Sequence, residues 1–319
     1  MRAVQLHEAG HPPVVGHWDP PQPGQGEVLV DVLAAPITPL DLLCASGSSY
    51  FGVPRTPYVP GVQGVGTVDG ELVWFATSAG MAPGDGSMAE QTAVPRTATV
   101  RLPDGASPTV VAALGLSAVA AWMALRWRGE LVAGEQVVVL GAGGVVGQAA
   151  VQIAHHSGAR RVVAVARSLQ AQSRAAQAGA DAVVALDTED VATLAARIAD
   201  ACDGPADLVL DPLFGAPAAA AARTLGSGGR LVNLGSSAGE TCPLESATLR
   251  SKSLRVLGYT NNALTHEQRR EALTAVVDLA LGGHLAVDHD VVPLHEATGA
   301  WQRQSEGTRH ARAVLVTDR

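Results

Sequence analysis

One junction restricts the fold of this chain more than any other. Val137-Val138-Val139-Leu140 runs directly into Gly141-Ala142-Gly143-Gly144-Val145-Val146-Gly147 and on into Gln148-Ala149-Ala150-Val151-Gln152-Ile153-Ala154. A short β-branched run bounded by glycines suits a strand buried on both faces, and the residues after it carry apolar side chains at helical spacing. The stretch reads as strand, glycine turn, helix. Glycines at such a junction bring backbone N–H groups close to a phosphate, which then sits at the positive end of the helix. The spacing is G-x-x-G-x-x-G through Gly141, Gly144 and Gly147; the pattern G-x-G-x-x-G fails because Val146 stands at its third glycine.

A glycine cluster could be no more than a tight connection, so the residues downstream decide. Val162 to Ala166, Ala182 to Leu186, Asp207 to Leu210, Arg230 to Leu234 and Leu254 to Leu257 are five further apolar runs, and helical stretches separate the first four of them. Strands alternating with helices imply a parallel sheet with right-handed crossovers. Six such strands make a complete dinucleotide-binding sheet.

At 319 residues two domains are expected. The net charge of -8, with Lys252 the only lysine, excludes the basic footprint that nucleic-acid binding needs. Cys44, Cys202 and Cys242 are odd in number and widely spaced, which gives neither a disulfide framework nor a C-x-x-C motif; a reducing cytoplasm is the expected setting. The start, Met1 to Glu8, lacks the apolar core of a signal peptide. Val110 to Leu125 is the longest apolar run, falls short of the roughly 20 residues a bilayer span needs, and is expected as a buried helix leading into the nucleotide domain, with no membrane involved.

Residues 1 to about 100 have another texture, short alternating runs such as Gly26 to Leu33 punctuated by prolines and glycines, which suits a small antiparallel barrel-like domain. Two segments there, Pro36-Ile37-Thr38-Pro39-Leu40-Asp41-Leu42-Leu43-Cys44-Ala45-Ser46-Gly47 and Pro57-Tyr58-Val59-Pro60-Gly61-Val62-Gln63-Gly64-Val65-Gly66, are specific. Together with the nucleotide-binding half, the chain resembles the zinc-independent quinone oxidoreductase branch of the medium-chain dehydrogenase/reductase superfamily over nearly its whole length. The resemblance implies an α/β fold, a doubly wound parallel Rossmann sheet plus a GroES-like β-rich catalytic domain. The expected boundaries are 1–114 for the first part of the catalytic domain, 115–258 for the Rossmann domain and 259–319 for the return. Zinc-dependent members carry Gly-His-Glu where this chain has Gly61-Val62-Gln63, and Val62 cannot be a metal ligand, so no metal is expected. Asp41 is expected as a turn or cap residue. Between Val68 and Trp74 relatives usually carry a longer hairpin, so a deletion is expected there.

Cofactor choice rests on the end of the second strand, where a carboxylate would grip a ribose 2′-hydroxyl and an arginine would accept a 2′-phosphate. Ala166-Arg167-Ser168-Leu169-Gln170 has no acid. Arg167, Ser168 and Arg174 form a candidate phosphate fork, which favours NADPH over NADH. With Gly141, Gly144, Val145, Val146 and Gly147 at the turn, and Leu234, Gly235 and Ser236 beside the nicotinamide ribose by resemblance, these are the candidate cofactor residues. Gly235-Ser236-Ser237-Ala238-Gly239 also matches the nucleophile-elbow text G-x-S-x-G, with Asp288 or Asp290 and His295 following, so a hydrolase using Ser237 is a rival to be tested against the structure.

The expected activity is hydride transfer from NADPH to a quinone or an α,β-unsaturated carbonyl, enone or enoyl, with Tyr50 and Thr38 as the hydroxyls lining the cleft in relatives and Tyr50 the candidate proton donor. An NADPH-binding protein without turnover is the alternative. The expected partners are a small-molecule substrate and a second copy of the chain, in a homodimer paired along the edge strand at Leu254 to Leu257.

Overall fold

Two short strands open the chain and pair as its first sheet. The computed structural model describes residues 1–307 and 311–317, and they form two compact units, Met1–Gly115 with the chain from Val287 on, and Leu116–Ala286. In the first unit, β1 (Arg2–Gln5) and β2 (Val14–His17) pair antiparallel. β3 (Glu27–Pro36) buries Val28, Val30, Val32 and Ala34 on alternate positions, as a strand with one covered face must. Helix α1 (Pro39–Ser46) follows it. β4 (Gln63–Val68) and β5 (Glu71–Ala76) are joined by only Asp69 and Gly70, whose φ of 51° and 82° are those of a two-residue hairpin turn. A tight turn therefore occupies the place where a shortened hairpin was expected. β6 (Gln91–Pro95) pairs with β3, and β7 (Thr99–Arg101) with β5.

Helix α2 (Pro108–Met123) carries the long apolar run and bends at Gly115, with φ 28° and ψ −130°. A Cβ at Gly115 would lie 2.0 Å from the Gln63 Oε1, so only glycine fits. The helical run Pro108–Arg128 is long and apolar enough to cross a bilayer by length and composition, but 72% of its apolar window is buried inside the protein.

The second unit alternates strand and helix. β8 (Gln136–Leu140), α3 (Val145–His156), β9 (Arg161–Ala166), α4 (Leu169–Gln177), β10 (Ala182–Ala185), α5 (Val191–Ala201), β11 (Ala206–Asp211), α6 (Gly215–Thr224), β12 (Leu225–Asn233), α7 (Ser246–Ser251), β13 (Arg255–Gly258) and α8 (His266–Leu281) follow in order. The six strands are all parallel, in the order β10-β9-β8-β11-β12-β13. Val138, Leu140, Val163, Val165, Val209 and Leu231 form one core with Leu194 and Ile198 of α5 and with Ala218, Ala220, Ala221 and Ala222 of α6. Alanines on the buried side of α6 let it lie close to its neighbours, which explains a core with few aromatics.

This unit runs further than the expected boundary at 258. Residues 259–286 remain with the parallel sheet because Tyr259 N–H donates to Asn233 O (2.8 Å), Asn261 Nδ2 to Leu116 O (2.9 Å), and Gln152 and Ala286 exchange two hydrogen bonds of 2.7 and 2.9 Å. The chain then re-enters the first unit. β14 (His289–Pro293), α9 (Ala297–Ser305) and β15 (Arg312–Val316) follow, and β15 pairs parallel to β14 and antiparallel to β3.

A charged clasp ties the start of β8 to β12. Arg230 Nη1 and Nη2 donate to Glu135 at 2.7 and 2.6 Å, and Nε donates to Gly129 O at 2.8 Å. Burial pushes the Glu135 carboxyl up, but hydrogen bonds from Arg230 and the Val132 N–H and the Arg230 charge outweigh it, so its pKa is lowered. A depressed carboxylate contributes stability that is present above its unfolded pKa, about 4.3, and lost as pH falls through the folded value. Glu135→Gln should cost about 2–4 kcal/mol at neutral pH, somewhat less than a fully buried pair because the site is partly exposed. Urea unfolding at pH 7 and pH 4 should show the gap between wild type and variant shrinking at the lower pH.

Candidate functional site

The glycine turn after β8 is built by close approach. Gly141 takes φ 62°, and Gly144 N–H donates to Gly141 O at 3.0 Å. A Cβ on Gly147 would lie 2.4 Å from Ala142 Cα and 2.5 Å from Gly141 O, so α3 reaches the end of β8 only without a side chain there. Gly144 is the N-cap of α3 and supplies no side-chain cap. The first-turn N–H groups of Val145, Val146 and Gly147 are therefore not capped by a side chain, and helices leave such donors orphaned. The sheet order reverses between β8 and β11, the place where open α/β sheets bind ligands. The loop after β11 borders the turn: a Cβ on Gly141 would be 3.1 Å from both Leu213 Cδ2 and Pro212 Cγ. Uncapped backbone donors at a helix N-terminus fit a dinucleotide pyrophosphate.

At the end of β9, the expected fork separates. Arg167 and Ser168 are exposed, and Ser168 Oγ accepts from Ala171 N–H at 3.2 Å as the N-cap of α4. Arg174 points elsewhere: its Nε donates to Gly143 O at 2.9 Å. α4 packs on the glycine turn and brings the Nε of Arg174, expected as part of the phosphate fork, onto its carbonyl.

Two loops at the ends of β11 and β12 are laced by residues that sequence reasoning missed. Asp211 Oδ1 accepts from Leu213 N–H (2.9 Å) and Phe214 N–H (2.8 Å), and Oδ2 accepts from Asn233 Nδ2 (2.9 Å). Burial pushes the Asp211 carboxyl up, and the bonds from Phe214, Asn233 and Leu213 oppose it. Asn233 Nδ2 also donates to Gly235 O at 2.7 Å, and Leu234 N–H to Asp211 O at 2.9 Å. Phe214 is held at φ 57°, an uncommon region for a bulky side chain. Leu234 and Gly235 sit within this lacing, and Ser236 hydrogen-bonds Glu240. The only sequence signal for the lacing was an Asp at a strand end. Ser237 Oγ donates to Pro212 O at 3.2 Å, and the next helix begins only at Ser246. No elbow forms, which removes the hydrolase reading.

In the first unit, Thr38 caps α1. Its Oγ1 donates to Asp41 Oδ2 at 2.6 Å and accepts from Asp41 N–H, and the residue is 4% exposed. The Thr38 hydroxyl, expected to line the cleft, belongs to a capping box at the start of α1. Asp41 also accepts from Thr38 N–H (2.7 Å) and Val62 N–H (2.9 Å), so it ties together the two segments that carried the resemblance. Burial pushes its carboxyl up against those bonds and the charge of Arg312. Cys44 is a buried thiol pushed up to about 11 by burial and by Asp41, against a hydrogen bond to Ser49. Tyr50 is 77% exposed, its ring centroid 4.3 Å from that of Phe51. Val62 is buried, and among the described residues no group of three or more His, Cys, Asp or Glu side chains could hold a metal ion.

Comparison with known proteins agrees with this fold. The zinc-binding dehydrogenase family matches residues 145–278. A zinc-type alcohol dehydrogenase-like protein of Schizosaccharomyces pombe is 36% identical over 221 residues, covering 66% of this chain and 62% of that protein; the match thus spans less than two thirds of that relative's length. Prostaglandin reductase-3 of Bos taurus is 29% identical over 290 residues, 85% of this chain and 73% of its own. The quinone oxidoreductase of Thermus thermophilus, solved alone and with NADPH, superposes with a TM-score of 0.84 at 29% identity, covering 99% of this chain and 100% of that one.

The turn separates two glycine roles. Gly147→Ala forces backbone atoms apart and should destabilise the protein by about 1–3 kcal/mol. Gly144→Ala meets nothing nearer than Gly141 O at 3.5 Å and should change the urea midpoint little. Equal destabilisation of both variants would contradict the close-approach account.

Proposed function

We propose that the chain is a member of the medium-chain dehydrogenase/reductase superfamily, in its quinone oxidoreductase branch, and that it is an NADPH-dependent, zinc-independent oxidoreductase passing hydride to a quinone or an α,β-unsaturated carbonyl. The observation that carries this reading is the uncapped start of α3 at the sheet's switch point, with Arg167 and no carboxylate at the end of β9. When bound, the dinucleotide supplies the hydride. Val145, Val146 and Gly147 would hold its pyrophosphate through backbone N–H groups, and Arg167 with Ser168 would meet a ribose 2′-phosphate. The laced loop at Leu234 and Gly235 would bound the nicotinamide end.

Simple alcohol oxidation in zinc-dependent relatives relies on a Lewis acid that Val62 cannot help to hold. A conjugated acceptor suits this donor set better: hydride adds at the far carbon, and the carbonyl oxygen takes the charge. The protein then has to orient the acceptor, exclude water and deliver one proton. Tyr50, an exposed phenol, is the proposed donor.

Three measurements test this. A screen of quinones, enals, enones and enoyl thioesters should show acceptor-dependent loss of NADPH absorbance; binding without any turnover would favour the alternative, a binding protein. Arg167→Ala should weaken NADPH by about 1.5–3 kcal/mol, the range for hydrogen bonds to charged groups, and spare NADH, and a wild-type preference for NADH would overturn the assignment. Tyr50→Phe should lower turnover on an enone by about 10²–10⁴-fold and cost little on a quinone, whose hydroquinone anion takes its proton from water. Unchanged enone turnover would reduce Tyr50 to a packing residue.

A further inference from the structure

Glycine turns are soft. Gly141, Gly143 and Gly144 lie within four residues, and each has more backbone freedom than any other residue type. A phosphate cradle made of such a chain must either be ordered by its ligand, at an entropic cost to affinity, or be held in shape beforehand. Gly143 is where the holding occurs. Its carbonyl accepts from Arg174 Nε at 2.9 Å and from Gln148 Nε2 at 3.0 Å. Gln148 is 5% exposed, on α3, and Arg174 is half-buried, on α4. Two helices therefore grip one oxygen.

The peptide that carries this oxygen also carries the Gly144 N–H, which donates to Gly141 O at 3.0 Å. Because a trans peptide is planar, with its C=O and N–H pointing in opposite directions, fixing both ends leaves the unit no rotation. The next N–H groups along the chain are the uncapped donors of α3. Contact reinforces the grip: a Cβ on Gly143 would lie 2.3 Å from Ala171 Cβ, so α4 stands directly on the turn. An Nε–H of a guanidinium gives the stronger, charge-assisted half of the clamp.

We propose that Arg174, with Gln148, is a positioning residue that clamps the Gly143 carbonyl and so pre-shapes the Val145 and Val146 N–H donors for the pyrophosphate shared by NADPH and NADH. This rests on the dinucleotide reading above and assigns Arg174 a role distinct from 2′-phosphate recognition. Pyrophosphate is common to both cofactors, so the clamp affects both. A 2′-phosphate ligand would affect only one.

The test is titration calorimetry of NADPH, NADH and adenosine 2′-monophosphate against wild type, Arg174→Met, Arg174→Lys and Gln148→Met, with amide hydrogen exchange of residues 142–147 in the cofactor-free proteins. Arg174→Met should raise Kd for NADPH and NADH together by about tenfold or more, leave adenosine 2′-monophosphate within about twofold, and speed exchange in the turn. Arg174→Lys, which keeps a cationic donor, should recover most of the affinity. Gln148→Met should act in the same direction on both cofactors and keeps the test open if Arg174→Met does not fold. Loss confined to NADPH and adenosine 2′-monophosphate would overturn the clamp in favour of a phosphate ligand. Unchanged affinities and unchanged exchange would overturn it outright. A wild-type chain that binds neither dinucleotide would overturn the cofactor reading and the clamp together.

Discussion

The parallel-sheet unit depends on how near α3 can come to the end of β8. Gly147 sets that distance, since any Cβ there would enter the space of Ala142 and Gly141. Close approach aims the helix N-terminus at the gap beyond the strand. β9 and β11 leave β8 on opposite sides, so no crossover covers that gap. Gly144 then leaves the donors bare of side chains, and bare N–H groups at the positive end of a helix are a place for an anion. Each condition is weak alone, and their coincidence at one switch point makes the site.

Around this cradle the fold uses buried polar groups to stiffen chain that would otherwise be loose. Asp211 and Asn233 lace the loops after β11 and β12, Arg174 and Gln148 grip the turn after β8, and Asp41 joins α1 to the segment before β4. Taking such carboxylates out of water raises their pKa values, as at Asp41 and Asp211, and two or three N–H donors on each offset that cost. An unmade partner at any of these places would cost about 1–3 kcal/mol. Such groups hold geometry more than they add net stability, which suits loops that must present backbone atoms to a ligand.

The first unit is held as tightly at a hairpin. Asp69 and Gly70 close β4 onto β5 in two residues with left-handed backbone, so the strands stay in register with no excursion beyond the sheet edge. The helix break at Gly115 is also imposed by a neighbour, since the Gln63 side chain occupies the space a Cβ would need. A residue standing where metal-dependent relatives have glutamate here shapes a helix.

Much of this was legible in the sequence, because it depends on near neighbours. Six strands with the central ones buried on both faces, the glycine spacing at 141, 144 and 147, the Asp69-Gly70 turn and Asp41 as a cap are set by side-chain periodicity and by backbone conformations that few residues adopt. The partners of long polar side chains were not legible. Arg174 looked like a phosphate ligand but directs its Nε to a carbonyl 31 residues away; Thr38 looked chemical but is bound to Asp41; and residues 259–286 looked like part of the return yet stay with the second unit. An amphipathic helix such as α8 reads the same whichever sheet it covers, and a guanidinium can reach many carbonyls. Only the assembled packing decides which surface is buried and which acceptor lies within about 3 Å.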